Sequence, residues 1–243
     1  MPRSGKANRL TPEQLDDLRQ LSTCVTASAI EPFGVRLSNA GFADSTVSCQ
    51  FRDLPPVIGY AATARIRSQD PPMGGDGYFY YDRPDWWKDI LTIPPPRVAV
   101  IEDVDHPPGL GAFVGVVHAQ ILKALGCVAV VTNGAVRDIS DIQPTGFQLF
   151  ASNVAVSHAY AHLFDFGGTV RVGGLSIAPG DLVHGDLHGV QTIPLEVADR
   201  VPAMARDILE RRKRLIELCR SPDFSLETLQ KLMKQQEEEK LKL

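Results

Sequence analysis

The chain has 243 residues, a length that fits one large domain or two small ones. Lysine and arginine number 25 against 29 aspartates and glutamates, a net charge of -4 that excludes a generally basic nucleic-acid coat. Hydrophobic residues make up 44% and charged residues 22%, and no apolar run approaches the roughly 18 residues that span a bilayer, so neither a membrane nor a nucleic acid is an expected partner.

The stretch MPRSGKANRL carries basic residues with no apolar run behind them, which argues against a secretory leader, and residues 1–10 are expected to be disordered. Four cysteines, Cys24, Cys49, Cys127 and Cys219, are widely spaced without a CxxC pair. They read as reduced thiols of a cytoplasmic protein.

Thr11-Pro12-Glu13-Gln14 has the form of a capped helix start, and Leu15, Leu18 and Leu21 supply its buried face. A second short helix is predicted over Val25–Phe33. Thr46–Phe51 and Gly59–Ile66 read as strands. Arg67–Gly77 reads as a long loop rich in Pro and Gly. Tyr78–Ile93, with Trp86 and Trp87, has partial helical character that Pro94-Pro95-Pro96 ends. The tryptophan pair suits a packed corner better than a lid.

Arg97–Asp103 is a buried strand by its apolar centre, Pro107–Gly111 is a tight loop, and Ala112–Leu125 reads as a helix stopped by Gly126. Cys127–Thr132 is the next strand, completing a βαβ unit. Gly146–Ser152 and Ala155–Ser157 suggest further strand. Thr169–Val172, Leu175–Ile177 and Leu182–Val190 form an antiparallel set. From Glu196 the chain is helical. Val201, Met204, Ile208, Leu215 and Cys219 keep to one face, Lys213 and Arg214 point away, and Ser225 starts a last helix.

The densest chemical signal is GLGAFVGVVH, ending at His118, followed by NGAVRD, ending at Asp138. A helix start there offers backbone N–H groups and a positive dipole end to a small carboxylate. Gly115 lets a ligand approach the backbone. Arg137 can hold an anionic oxygen and Asp138 a hard cation such as Mg2+, or the two can form a plain ion pair at a strand end.

The run GAFVGVVHAQILKALGCVAVVTNGAVRD, with PGDLVHGDLHGV near the closing strands, resembles the RraA-like family. That family includes 4-hydroxy-4-methyl-2-oxoglutarate aldolases, oxaloacetate decarboxylases and regulators of ribonuclease E activity. The resemblance spans about Leu21 to Pro194. It implies a layered α/β/β domain of the swivelling type over residues 11–194, with a C-terminal helical extension over 195–243 that packs on the domain or on an oligomer. It further implies a homotrimer or homohexamer with sites between subunits.

For the site, the resemblance implies that backbone amides of Gly115, Val116, Val117 and His118 bind a substrate carboxylate. Arg137 would stabilise an enolate, and Asp138 would bind Mg2+ or Mn2+. The expected activity is a carbon–carbon lyase acting on a small 2-keto acid. A non-catalytic regulator that binds a protein such as a ribonuclease is the alternative. Family aldolases carry a carboxylate where this chain has Val116, and acidic residues near Ser28. That departure weakens retro-aldol cleavage more than decarboxylation, and His118 is either a titratable group that acts in their place or a hydrogen-bonded helix histidine.

Two further clusters stand out. His158 and His162 lie four apart, a spacing that suits a helix face and a metal, but without a third ligand they point to a pocket wall or subunit interface. His184, Asp186 and His188 share one face of a strand by period-two alternation and read as a solvated or interface edge.

Overall fold

The computed structural model describes residues 9–72 and 83–240. Much of the long loop expected after Arg67 therefore lies outside the described residues. Leu10, expected in a disordered stretch, is held: its N–H donates to the Tyr60 hydroxyl at 3.1 Å.

The first helix, α1 (Pro12–Arg19), starts as its sequence dictates. The Thr11 hydroxyl accepts the Gln14 N–H at 3.3 Å and the Gln14 side chain accepts the Thr11 N–H at 2.9 Å. Leu15 and Leu18 are buried beneath it. Next comes α2 (Thr23–Ile30), capped by Ser22, with a 3-10 turn over Glu31–Phe33 completing the predicted length.

Strands β1 (Ser48–Cys49) and β2 (Val57–Arg67) lead to α3 (Pro84–Thr92) and β3 (Arg97–Asp103). Then follow β4 (Ala112–Val114), α4 (Val116–Ala124), β5 (Cys127–Thr132), β6 (Ala135–Val136), α5 (Ile139–Ile142), β7 (Gln148–Ala151) and β8 (Asn153–Val154). The closing set is β9 (His162–Phe166), β10 (Val170–Val172), β11 (Leu175–Ile177), β12 (Leu182–Asp186) and β13 (Gly189–Ile193), before α6 (Val201–Arg220) and α7 (Leu226–Lys240).

The main sheet runs β1-β7-β5-β3-β2-β12-β13, with β9 also on β2. The strands β2, β3, β5 and β7 are mutually parallel, and the remainder pair antiparallel. The long β2 has one edge shared by two strands: β12 takes its first half and β9 its second. Before β1, the chain at Gly41–Ala43 bonds to β13, where Thr192 N–H donates to Gly41 and Ala43 N–H donates to Val190, each at 2.9 Å. A few residues on, β1 pairs with β7. One segment thus spans both sheet edges and nearly closes the sheet into a barrel, which removes open edges.

Alternation along β3 sorts two cores. Val98 and Val100 face an inner cluster with Ala129, Val131, Phe150 and the β10–β11 hairpin. Ala99 and Ile101 face an outer cluster with Leu122 and Trp86. Burial of such side chains stabilises by about 1.5–3 kcal/mol each. Both faces are dry, so the central strands read as unbroken apolar runs. Gly185 is required by that packing: a Cβ there would come within 2.6 Å of the Phe150 ring.

Several expectations change. The helix expected from Ala112 begins at Val116. Residues 112–114 form a strand, β4, which pairs in parallel with β6, while β6 pairs with β8. Phe113 is buried in the outer cluster, and that burial together with strand pairing outweighs helix propensity. Ala155–Ser157 is not a named strand, although Ala155 N–H donates to Val136 and Ser157 accepts from Ala112. Leu182–Val190 is two strands, because Leu187 and His188 make a hairpin turn. In α6, Cys219 is exposed, and Arg214 does not point into solvent but bonds Glu239 of α7 at 2.7 Å.

Candidate active site at the start of α4

The small parallel sheet β4-β6-β8 sets the site. Its strands β4 and β6 end side by side, β4 running into Gly115 and α4, and β6 running into Arg137 and Asp138. Arg137 N–H donates to the Val114 carbonyl at 3.0 Å, which ties the two strand ends together. Gly115 is the N-cap of α4, in extended conformation (φ -118°, ψ -169°). It is glycine for lack of room: a Cβ would lie 2.6 Å from Asp138 Oδ2 and 3.2 Å from Arg137 Cγ.

Asp138 is the hub. Its Oδ2 accepts the Val116 N–H at 3.0 Å, at the positive end of α4. Its Oδ1 accepts Arg137 Nε at 3.2 Å. Its backbone is left-handed (φ 57°, ψ 39°), one of two non-glycine residues at positive φ among those described. Such a conformation costs about 1–3 kcal/mol and persists where surroundings enforce it. Arg137 and Asp138 stay about a third and a quarter exposed, at 33% and 27% of their side chains, so both remain open to a ligand. A guanidinium has five N–H donors, and this ion pair uses one of them.

The structure therefore brings Gly115, Val116, Arg137 and Asp138 into direct contact, with Val117 exposed in the first turn of α4. The His118 imidazole lies elsewhere. It is 2% exposed and stacks on the Phe113 ring, with centroids 4.6 Å apart. Trp86 continues that aromatic layer, 5.9 Å from Phe113, and is buried as a packed corner.

Asp103 is a neighbouring carboxylate that the sequence reading passed over. It ends β3, accepts the Gly109 and Asp105 N–H groups at 2.8 and 3.1 Å, and so pins the loop before β4. Burial pushes its pKa up, against the pull of those hydrogen bonds. An aspartate closing an apolar strand was the available signal.

Among the described residues no group of three or more His, Cys, Asp or Glu side chains converges as a metal cage. Asp138 alone still suits a hard cation that keeps most of its waters, since Mg2+ typically takes one or two carboxylates and leaves other positions to water and substrate. Each Asp138 oxygen accepts one bond and retains a second lone-pair direction.

The other clusters do not join this site. His158 and His162 are not on a helix: Ala159 between them has φ 46°, and the rings contact the carbonyls of Ala159 and Tyr160 through Nδ1, each at 2.7 Å. His184 and Asp186 are not a solvated edge. They are 0% and 3% exposed, beneath α2, because β12 lies inside the nearly closed sheet. A cavity of about 430 Å3 lies at the opposite, amino end of the parallel strands, among Leu15, Ile58, Pro95 and Phe147. Cys127 also lines it, and burial pushes that thiol up to about 12, so it is no ready nucleophile.

Comparison with known proteins gives the lineage. The RraA-like family, described as Aldolase/RraA, matches residues 23–191. An uncharacterised protein of Methanocaldococcus jannaschii is 31% identical over 96 residues, 39% of this chain and 46% of that one. A candidate 4-hydroxy-4-methyl-2-oxoglutarate aldolase of Halalkalibacterium halodurans is 33% identical over 73 residues, 30% of this chain and 35% of that one. The chain thus spans less than half the length of either relative in these matches. Among solved structures, an uncharacterised protein of Pseudomonas syringae superposes with a TM-score of 0.70 at 20% identity, covering 95% of this chain and 98% of its own. RraAS2 of Streptomyces coelicolor, described as an unusual member of the RNase ES inhibitor RraA family, superposes at 0.65 and 20% identity over 85% and 96% of the two chains.

Proposed function

This chain belongs to the RraA-like family, and from that premise we propose that it is a divalent-metal-dependent lyase that cleaves a carbon–carbon bond in a small 2-keto acid. The observation that carries the reading is the contact of Asp138 with both the α4 N-terminus and Arg137. Anion-binding amides, a cation and a metal-competent carboxylate then border one spot. The candidate aldolase of Halalkalibacterium halodurans supports the reaction class.

The residues divide the work. The amides of Gly115, Val116, Val117 and His118 bind the substrate carboxylate at the positive helix end. Val116 N–H already bonds Asp138, so it positions that carboxylate as well. Arg137 places positive charge where the keto oxygen becomes an enolate oxygen, the term that dominates such catalysis. Asp138 would hold Mg2+ or Mn2+, which supplies Lewis-acid polarisation of the keto acid. The His118 imidazole, enclosed against Phe113, serves as packing under the helix start rather than as an open proton carrier.

The test is pyruvate release from oxaloacetate and from 4-hydroxy-4-methyl-2-oxoglutarate, with Mg2+ or Mn2+ and with EDTA. Turnover of one substrate that EDTA abolishes is expected. No turnover of either with metal present would sink the reading for these substrates. Arg137→Ala is expected to lower kcat/KM by about 100-fold or more, and wild-type kcat/KM in that variant would remove Arg137 from the mechanism.

We also propose a homotrimer or homohexamer in which a neighbouring subunit completes the site. Leu110, Val154 and Val156 expose apolar surface on the loops and strands around β6, with Val156 98% exposed. The same rim favours a second reading, a regulator that binds a protein partner, in line with the ribonuclease-inhibitor family of RraAS2. A stoichiometric partner captured equally by wild type and Arg137→Ala would favour it.

A further inference from the structure

The cavity of about 430 Å3 at the amino ends of β2, β3, β5 and β7 has no part in the keto-acid site. Leu15 lines it from α1, Ile58 from β2 and Phe147 from the entry to β7. Most of the remaining wall is proline: Pro12, Pro55, Pro56, Pro95 and Pro96. A proline ring has almost no side-chain entropy to lose, so such a wall is preformed and closes on a ligand at little cost. Protein interiors leave few voids larger than a water, and this one falls within the range of about 300–1,000 Å3 that suits a small molecule. Water held against apolar walls is poorly hydrogen-bonded, and an apolar group that displaces it gains affinity.

The charged lining residues are Asp16, Arg19 and Lys123. Asp16 and Arg19 pair with each other on α1. Lys123 is exposed in the last turn of α4, donates to the Thr145 carbonyl and forms no ion pair among the described residues. An ammonium has three donors, so this cation keeps two for a ligand at the edge of an apolar space. A carboxylate there would accept a charge-assisted bond. A second charge on the same ligand would lie unpaired against apolar walls, which is costly. Charge and lining together therefore select one anionic group on an apolar body. The Asp138 site lies at the other end of α4, whose nine residues span about 13 Å.

We propose that this cavity binds a small monocarboxylate with an apolar body, aromatic or aliphatic. Its carboxylate bonds Lys123, and its body fills the space between Leu15, Ile58, Phe147 and the prolines. The binding is non-covalent and separate from the lyase reading.

The full-length protein is titrated by isothermal calorimetry with 3-phenylpropionate, with octanoate and with 3-phenylpropan-1-ol, which keeps the aromatic body and lacks the charge. Saturable binding of one or both acids is expected, at one site per chain, and the stronger acid tells ring from chain. The alcohol should bind at least about tenfold more weakly than 3-phenylpropionate if the ring fits. Lys123→Gln, an exposed change between two good helix formers, should weaken the acids at least about tenfold and leave the alcohol unmoved. Arg137→Ala, at the other end of α4, should leave acid binding as in the wild type. No saturable binding of either acid, acid binding unmoved by Lys123→Gln, or acid binding lost in Arg137→Ala overturns the proposal. None of these results bears on pyruvate release, so the lyase reading stands or falls by its own test.

Discussion

Asp138 joins two constraints in one residue: a left-handed backbone and a carboxylate bonded on both oxygens. The residue types Arg137 and Asp138, and the glycine opposite, were legible in the sequence as a pattern of charge beside a turn. Their contact distances were not, because β6 contributes only two residues and gives almost no periodic signal. His184 shows the opposite failure. Its alternation was read, but its burial was not, since period two says which residues share a face and not what covers that face. Burial pushes its pKa down to about 4, against the smaller opposing pull of Asp186. The unfolded chain then takes up a proton near pH 6.5 that the folded chain refuses. Stability from neutral His184 is complete above that pH and is lost as pH falls towards 4, by about 3 kcal/mol at most. Urea midpoints measured between pH 7 and 4 should fall in the wild type and fall less in His184→Gln. Parallel curves would show that His184 is not the cause.

At the scale of elements, the helix that opens the site starts four residues later than the sequence pattern suggested. Ala112–Val114 pairs as a strand, and Gly115 becomes the hinge between β4 and α4. The hinge is crowded, so Gly115→Ala must push Asp138 or Arg137 aside. A displacement of about 1 Å at a reacting group costs about 100-fold in rate. Gly115→Ala should therefore lower kcat/KM by about that factor while far-UV circular dichroism keeps its wild-type shape. Unchanged activity would mean that the close approach at this hinge has no functional weight. By contrast α1 follows local rules throughout, because its capping box closes within four residues.

At the scale of the whole molecule, the nearly closed sheet removes strand edges, yet apolar side chains stay exposed beside the site. Val156 is 98% exposed, with Leu110 at 60% and Val154 at 54%. A patch of that kind calls for a covering surface, and a second copy of the chain is the occupant proposed above. Val156→Glu should lower the mass seen by light scattering and, if the site is shared, lower activity with it. Wild-type mass and activity in that variant would place the subunit contact elsewhere. The α6–α7 hairpin adds its own tie through Arg214 and Glu239. That pair is partly exposed, so water screens it and the tie is weak.

By itself the sequence determined what depends on neighbours along the chain. That covers the capped start of α1, the apolar strand β3 over the predicted residues, the glycine stops, and the motif that places the chain among RraA-like proteins. Each is set by bonds within a turn or by alternation along one strand. Only the tertiary structure decided the rest. It closed the sheet through Gly41–Ala43, buried His184 and Asp186, turned Ala112–Val114 from helix to strand, and brought Gly115 against Asp138. Those outcomes depend on pairings between residues far apart in the chain, and a strand of two or three residues carries too little local preference to announce its partner.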